Sequence, residues 1–264
     1  MHSKKINIRV ITGFPNNPNQ PFRIIEDLMM FQSPGVEISL SHNPIGPIHC
    51  QNDIQHALAI PGIALAALNA EQEGANAIVI ESMGDTGLIP AREVVKIPVI
   101  GLSDSSIRVA QMLGRKFGVI TAGVWHGYAL ERVMKSYGLE NQYVGFSPLG
   151  LQPFFIDSPS RSAFEEKILN AAIELIQKDA DTLIMGGSYF LGKSKALGEL
   201  LFKAGYPDIV IIDPLPLAIH YAQMMVHADL AHSKLIYANP QQATPVLGYP
   251  LIEVTPGVKD GYQC

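Results

Sequence analysis

The sequence predicts an α/β protein made of two pseudo-symmetric halves, each with a parallel sheet, and two observations lead to this prediction. Short β-branched runs alternate with longer amphipathic segments, which is the pattern of parallel α/β structure. The chain also nearly repeats itself, because residues 73–84 are echoed 105 positions later by residues 178–189, and residues 107–113 are echoed by residues 219–225. In residues 73–84 and again in residues 178–189, an apolar strand is followed by a turn-rich polar stretch. Each half is therefore expected to be Rossmann-like, of the flavodoxin-like kind.

Eight apolar, β-branched runs bounded by turn residues are predicted to be strands. They are residues 6–12, 36–40, 77–81, 99–102, 117–121, 143–146, 182–185 and 209–212. Helices are expected in most of the gaps, with start signals at Asp53, Asp104, Ser160 and Pro214.

The order of these segments predicts two lobes that share one cleft. We assign residues 1–102 and 214–264 to the first lobe, to which the helix after Pro214 returns, and residues 103–213 to the second. Open parallel sheets bind ligands at the carboxyl ends of their strands. Two such lobes facing each other would enclose a single pocket between Ser82 and Gly187.

Bulk properties narrow the class of protein. The 264 residues are 47% hydrophobic and 16% charged, enough to bury a large core. A net charge of -5 with scattered Lys and Arg disfavours nucleic acid as a partner and favours a small molecule. The two cysteines exclude a disulfide framework and suggest a reducing compartment. Without a secretory segment or a run of about 20 apolar residues, we expect a soluble, cytoplasmic protein with no membrane partner.

Several ordered motifs resemble the aspartate/glutamate/hydantoin racemase superfamily, most closely its hydantoin racemase branch. The matching stretches span nearly the whole chain in the order of the family. They are residues 16–19, 46–47, 77–88, 98–101, 117–121, 233–234, 237–238 and 240. Together they form a specific pattern, although each stretch alone is short.

The resemblance implies a cofactor-free pocket in which two cysteines, one from each half, flank the stereocentre of the substrate. In this chain those positions hold Ser82 and Gly187. A serine hydroxyl is a far weaker acid than a thiol of pKa about 8.5, and glycine carries no proton, so the two-thiol route cannot operate. Cys50 lies in a predicted loop, where no spacing argument brings it to either strand end, and we expect it to serve packing.

Oxygen groups near Ser82 are the candidate replacements. Glu81 stands where the family commonly has glycine, and it either acts as a general base or orients the ligand-facing Ser82. The alternative is that Glu81 pairs with an Arg or Lys while Ser82 only binds the substrate. Asp85 is expected to stabilise its glycine-containing turn. In the second half Ser188, next to Gly187, is the candidate partner for a two-base reaction.

Substrate binding is expected to use hydroxyls and backbone N–H groups at strand ends and helix starts, which favour anions. The candidate binding residues, carried over from the family pattern, are Asn16 or Asn17, Met83, Thr121, Ala122 and Gly187. A helix cap is the alternative role for Thr121.

The sequence thus predicts an isomerase-class enzyme of amino acid metabolism, independent of pyridoxal phosphate and of any other cofactor, and assembled as an even homo-oligomer. Its substrate would be a small amino-acid-derived carboxylate or a hydantoin-like compound. Proton transfer on one face only would instead suit a decarboxylase, another lyase or a hydantoin-ring-opening hydrolase. A binding protein that has lost its chemistry is a third reading, which a buried Glu81 disfavours.

Two further motifs point elsewhere and are disfavoured. Residues 187–194 fit the spacing of a P-loop, but the bulky Tyr189 and Phe190 fall inside the loop. His42, His49 and His56 recur every seven residues, yet they are expected on a strand end, a loop and a helix, so no metal site is predicted.

Overall fold

The computed structural model describes residues 5–17, 23–151 and 160–240, and this part of the chain forms two four-stranded parallel sheets. The first sheet has the order β2-β1-β3-β4 and the second has the order β6-β5-β7-β8. Their strands are β1 Ile6–Thr12, β2 Val36–Ser41, β3 Ala77–Glu81, β4 Val99–Gly101, β5 Phe117–Thr121, β6 Tyr143–Pro148, β7 Thr182–Met185 and β8 Val210–Ile212. The second sheet therefore repeats the topology of the first, and the predicted α/β class with two related halves is confirmed.

Helices fill the connections between these strands. They are α1 Glu26–Met29, α2 Asp53–Gln72, α3 Leu88–Val94, α4 Leu102–Leu113, α5 Val124–Ser136, α6 Arg161–Gln177, α7 Ser194–Lys203 and α8 Pro214–His227. A short 3-10 turn, Ser188–Phe190, follows β7. None of the helices in the described residues combines the length and the apolar character that a membrane crossing requires.

Two of the four predicted helix starts are confirmed. The Ser160 hydroxyl accepts a hydrogen bond from the Ala163 N–H (3.3 Å) at the start of α6, and α8 begins at Pro214. At α2 the cap is one residue earlier than predicted, because the side chain of Asn52 accepts from the Gln55 N–H (3.0 Å).

The predicted start at Asp104 is wrong, since α4 begins at Leu102, directly after β4. The reason is a cap supplied by another element. The Asp85 carboxylate accepts from the Ser103 N–H (3.1 Å) and from the Asp104 N–H (2.8 Å). Asp104 is thereby free to pair with Arg92, at 2.7 Å.

Each sheet is covered on both faces, as expected for strands that read as continuous apolar runs. In the first half, Ile8 and Val10 of β1 pack with α8, whereas Ile78 and Ile80 of β3 pack with α2 and α3. The second half repeats this arrangement with α4 and α5 on one face and α6 and α7 on the other.

The helix that follows the last strand of each sheet packs on the other sheet. Ile107 and Ala110 of α4, which follows the first sheet, join the core around Phe117 and Ile184 of the second sheet. Ile219 of α8, which follows the second sheet, joins the core of the first. The two halves are therefore interlocked by an exchange of helices.

Candidate active site

The chain turns in the same way at the carboxyl ends of β3 and β7. The Ser82 N–H donates to the Ile80 carbonyl (2.9 Å), and the Gly187 N–H donates to the Met185 carbonyl (2.8 Å). These are three-residue turns of the kind common at strand ends. Such a turn ends the alternation by which neighbouring side chains of a regular strand point to opposite faces.

The likeness continues through the next five residues. The Asp85 N–H donates to the Ser82 carbonyl (3.1 Å), and the Phe190 N–H, 105 positions later, donates to the Gly187 carbonyl (3.0 Å). Gly87 and Gly192 then adopt the left-handed conformation, with φ of 72° and 75°. Glycine adopts it at no steric cost. The sequence echo is therefore accompanied by a repeated pattern of backbone hydrogen bonds.

A cavity of about 60 Å³ lies where these two turns meet, and it is lined from both halves. Its wall contains Glu81 at the end of β3, Ser82 and Met83 after it, and Gly187 after β7. The remaining lining residues are Phe14, Cys50, His56, Gly84, Trp125, His126, Ala129, Leu130, Gly186 and Tyr189. Ser82 and Gly187 thus share one cavity.

Ser82 belongs to a chain of three hydrogen-bonded side chains. Its hydroxyl donates to Thr86 Oγ1 (3.0 Å), and Thr86 Oγ1 lies 2.5 Å from His56 Nδ1. If Thr86 donates to His56, every link runs in one direction, from Ser82 towards the imidazole. His56 comes from α2, and sequence reasoning had considered it only as a metal ligand.

The surroundings of His56 keep its imidazole neutral. The ring stacks on Trp125, with centroids 5.0 Å apart and an interplanar angle of 23°. Burial, and secondarily the proximity of His126, lower the pKa of His56 to about 4. At neutral pH the imidazole is therefore an acceptor of protons.

Glu81 forms a buried ion pair. Its side chain is fully buried, and Oε1 accepts from Arg23 Nε (2.9 Å) and Nη2 (2.7 Å). Arg23 also contacts Asp27, at 3.3 Å. Of the two roles expected for Glu81, the ion pair is the one whose contacts are present.

Asp85 connects the two halves. Besides capping α4, its carboxylate accepts from the Tyr137 hydroxyl (3.0 Å) at the end of α5. Burial, together with the nearby Asp104, raises the pKa of Asp85 to about 7. These contacts are structural, but they join α4 and α5 and not the glycine-containing turn that Asp85 was expected to stabilise.

On the other side of the cavity, Tyr189 fills the space beside Gly187. A Cβ atom at position 187 would lie 2.4 Å from Tyr189 Cζ and 2.7 Å from its hydroxyl oxygen. The Ala122 N–H is hydrogen-bonded to that hydroxyl, while burial raises the pKa of the phenol. Ser188 lies in the 3-10 turn between them, and its side chain is outside the described part of the structure.

The predicted binding residues do not all converge. Met83 lines the cavity. Thr121 is fully buried and donates to the Gly123 carbonyl (3.1 Å). Asn16 is exposed in a separate surface depression and Asn17 is half-buried, and neither lines the cavity.

Cys50 lies in the cavity wall, a position that no spacing argument had given it. It is 6% exposed and packs with the core beneath α2. Burial raises the pKa of its thiol to about 12, so the group stays protonated at neutral pH.

The two competing motifs take other roles. In the loop with P-loop spacing, Phe190 is fully buried and the Gly192 N–H already donates to Asp213 Oδ2 (2.8 Å), so this backbone is not open to phosphate. His42 contacts Thr12 Oγ1 (3.1 Å) rather than the other histidines. Within residues 5–17, 23–151 and 160–240, no three His, Cys, Asp or Glu side chains cluster as metal ligands would.

Comparison of sequences relates this chain to known enzymes. Residues 25–222 match the family described as Asp/Glu/Hydantoin racemase. A hydantoin racemase of Pseudomonas sp. (strain NS671) is 28% identical over 201 residues, which cover 75% of this chain and 78% of the relative. A hydantoin racemase of Rhizobium meliloti is 27% identical over 232 residues, which cover 85% and 93%.

Solved structures with the same fold include an allantoin racemase and a decarboxylase. The allantoin racemase from Klebsiella pneumoniae superposes with a TM-score of 0.79 at 21% identity, covering 91% of this chain and 96% of its own. Unliganded arylmalonate decarboxylase superposes with a TM-score of 0.58 at 15% identity, covering 84% and 92%. At these identities the likeness establishes the two-sheet fold alone.

Proposed function

We propose that this chain, which belongs to the Asp/Glu/hydantoin racemase family, is a cofactor-independent enzyme that moves a proton at the α-carbon of a small substrate. The substrate would be an amino-acid-derived carboxylate or a hydantoin-like compound. The reaction would use oxygen and imidazole groups in place of the two thiols that the family resemblance implies, with Ser82 and Gly187 standing at those two positions.

The observation that carries this proposal is the hydrogen-bonded chain from Ser82 through Thr86 to His56. A serine hydroxyl alone is too weak a base for the α-proton of a carboxylate or hydantoin. A neutral imidazole at the end of the chain provides an acceptor for the proton that Ser82 gives up, provided that it carries its own proton on Nε2.

Removal of the α-proton conserves every proton and electron pair. The C–H bond of the substrate breaks, and its proton moves to Ser82 Oγ while the Ser82 proton passes to Thr86 and the Thr86 proton to His56 Nδ1. The electron pair remains on the substrate and is delocalised onto the adjacent carbonyl oxygen. Ser82 and Thr86 end neutral, and His56 ends as an imidazolium.

The substrate class rests on the relatives and not on the size of the cavity, because about 60 Å³ is far smaller than the roughly 300–1,000 Å³ typical of ligand pockets. The two relatives described above are hydantoin racemases, which favours a hydantoin-like ring.

A decarboxylase is the second candidate. The hydrogen-bonded chain reaches the cavity from the first half, whereas the turn after β7 contributes Gly186 and Gly187, which have no side chains. A site with one proton-handling face suits decarboxylation, because a single proton then replaces the lost carboxylate. Ring opening by attack of Ser82 would use the same chain of hydrogen bonds.

We also propose that the enzyme acts in the cytoplasm, in amino acid metabolism, as an even homo-oligomer, and without pyridoxal phosphate. The support is compositional for the compartment, since two cysteines in 264 residues do not form a disulfide framework. For the remaining features the support is the family resemblance.

Solvent exchange tests the function. The full chain is incubated in D2O with single enantiomers of a panel of 5-substituted hydantoins and free amino acids, and α-deuterium, optical rotation and carbon dioxide are followed. Deuterium at the α-carbon of a hydantoin or amino acid is the expected result. Release of carbon dioxide from an added malonate panel would favour the decarboxylase, and the absence of exchange in every compound would overturn the proposal.

The Cys50→Ala variant provides the matched control for thiol chemistry. Because the buried thiol stays protonated, we expect the variant to retain exchange, whereas Ser82→Ala should lose most of it. Loss of exchange in Cys50→Ala, with normal folding by circular dichroism, would show that the Cys50 thiol takes part in the proton transfer.

A further inference from the structure

We propose that the Tyr189 hydroxyl is the proton donor of the second half, where it takes the place of the side chain that Gly187 lacks. This inference rests on the proposed function and extends it to the opposite face of the substrate. With this residue, both faces of the substrate would meet a group that transfers protons. It also gives a role to Tyr189, whose bulk was counted against the P-loop interpretation.

The placement of the phenol is the first support. A Cβ atom at position 187 would lie 2.7 Å from the Tyr189 hydroxyl oxygen, so this oxygen occupies the space into which a side chain at 187 would project. Tyr189 lines the same cavity as Ser82 but follows β7 rather than β3. Two proton carriers on different halves therefore face one small space.

The ring is held in this position by its neighbours. Tyr189 meets Phe190 edge-on, with centroids 4.9 Å apart, and it meets His126 of α5 at 6.3 Å with an angle of 70°. Gly186 cannot be larger, because a Cβ atom there would lie 2.6 Å from the Ile120 carbonyl oxygen. Packing thus fixes the direction of the hydroxyl, as a positioned acid requires.

The hydroxyl also has a partner suited to its charged form. The Ala122 N–H is hydrogen-bonded to the phenol oxygen, and a backbone N–H stabilises a developing phenolate. Since burial raises the pKa of Tyr189, the resting group is a neutral phenol that still carries the proton it is to donate.

The donation balances with the step already described. The carbanion formed at the α-carbon takes the Tyr189 proton, so the O–H bond breaks, a C–H bond forms on the opposite face, and Tyr189 becomes a phenolate. Solvent then reprotonates Tyr189 and removes the proton held by His56. Nothing is oxidised or reduced, and the configuration is inverted.

His126 is the competing donor from the same half. It lines the cavity, and its buried Nδ1 has no hydrogen-bond partner within the described residues. Burial lowers the pKa of His126, so its ring is neutral at pH 7 and is a poorer acid than an imidazolium. The experiment therefore tests both residues.

The test compares exchange with inversion in D2O, using one enantiomer of a hydantoin that the wild-type enzyme deuterates. In Tyr189→Phe we expect inversion to fall by about 10²- to 10⁴-fold, the usual contribution of a general acid. Exchange without inversion should persist, because the first half is intact. Tyr128→Phe, on the exposed side of α5, is the matched control and should invert normally.

A second variant guards against a folding defect. Gly187→Cys combined with Tyr189→Gly removes the phenol and leaves room for a thiol in its place, and it should restore part of the inversion. If Tyr189→Phe inverts the substrate at the wild-type rate, the assignment to Tyr189 is overturned. The same holds if inversion is lost in His126→Gln but not in Tyr189→Phe. In both cases the proposed function remains intact. Absence of exchange in the wild-type enzyme would overturn both.

Discussion

The ends of β3 and β7 share a pattern of backbone hydrogen bonds and differ in chemistry. Equivalent bonds recur at an interval of 105 residues, so Glu81 corresponds to Gly186, and Ser82 to Gly187. The first end carries a carboxylate, a hydroxyl and a path to an imidazole, whereas the second carries two glycines. Backbone geometry and side-chain chemistry are thus separable, and the pseudo-symmetric frame tolerates an asymmetric site.

The space beside each of the two strand ends is also filled by a different part of the chain. At the first end the residue after Met83 is Gly84, and a Cβ atom there would lie 3.2 Å from His56 Cε1, so a helix supplies the side chain. At the second end the equivalent of Gly84 is Tyr189, which fills the space from within the loop. A residue that a strand end lacks can therefore be supplied from elsewhere in the fold.

Breaking the hydrogen-bonded chain of the first end should have the largest effect on activity. His56→Ala should lower kcat/KM for exchange by about 10²- to 10⁴-fold, because the imidazole is the final proton acceptor. Thr86→Val should act similarly, and the double variant should lose little more, since the residues act as one unit. Steady-state deuterium incorporation measures the loss, with exposed His220→Ala as control. Unchanged exchange in His56→Ala would refute the relay.

Removing the cation of the first end should have the largest effect on stability. Arg23→Ala leaves the Glu81 carboxylate buried without its guanidinium, which typically costs about 3–5 kcal/mol in the free energy of unfolding. The exposed pair between Lys178 and Glu174 is the matched case, and Lys178→Ala should cost at most about 1 kcal/mol. Urea denaturation measures both. Equal losses would show that burial of the first pair has no energetic consequence.

Adding a methyl group to the second end should have a smaller effect. In Gly187→Ala the new Cβ would lie 2.4 Å from the Tyr189 ring, so the ring must move, at a cost of about 1–3 kcal/mol. Gly198→Ala on α7 meets only Ile211 Cδ1, at 3.7 Å, and should stabilise the helix by about 0.5–1 kcal/mol. Thermal unfolding compares the two, and a neutral Gly187→Ala would mean that Tyr189 is not confined.

The pH dependence should be the smallest effect near neutrality. Since the pKa of folded His56 is lowered to about 4 from 6.5, the neutral ring contributes stability that is complete above pH 6.5 and is lost as the pH falls through 4. The acid limb of kcat/KM should likewise lie near pH 4. His126, Asp53 and Arg132 act on this pKa. A limb at pH 6.5 would contradict a buried, neutral His56.

Much of the frame could be predicted from sequence. Strands buried on both faces are continuous β-branched runs, so β1, β3, β5 and β7 were predicted to the residue. The echo between residues 73–84 and 178–189 predicted one cavity shared by Ser82 and Gly187. The start of α4 was missed because its cap, Asp85, comes from another element.

The partners of the site residues could not be predicted in this way. His56 and Thr86 are 30 residues apart, and the regular spacing of His42, His49 and His56 gave no indication that His56 would contact Thr86. Arg23 and Glu81 are 58 residues apart. Tyr189 was set aside as too bulky for a phosphate loop, although its size is what lets its hydroxyl reach the space beside Gly187.

The exchange of α4 and α8 between the two sheets affects how this protein unfolds. Each helix leaves its own sheet to complete the core of the other, so removing either half would strip apolar cover from the half that remains. We expect a single cooperative unfolding transition and no autonomous subdomain. Because each of these helices joins the two sheets, we also expect hinge motion between the halves to be limited.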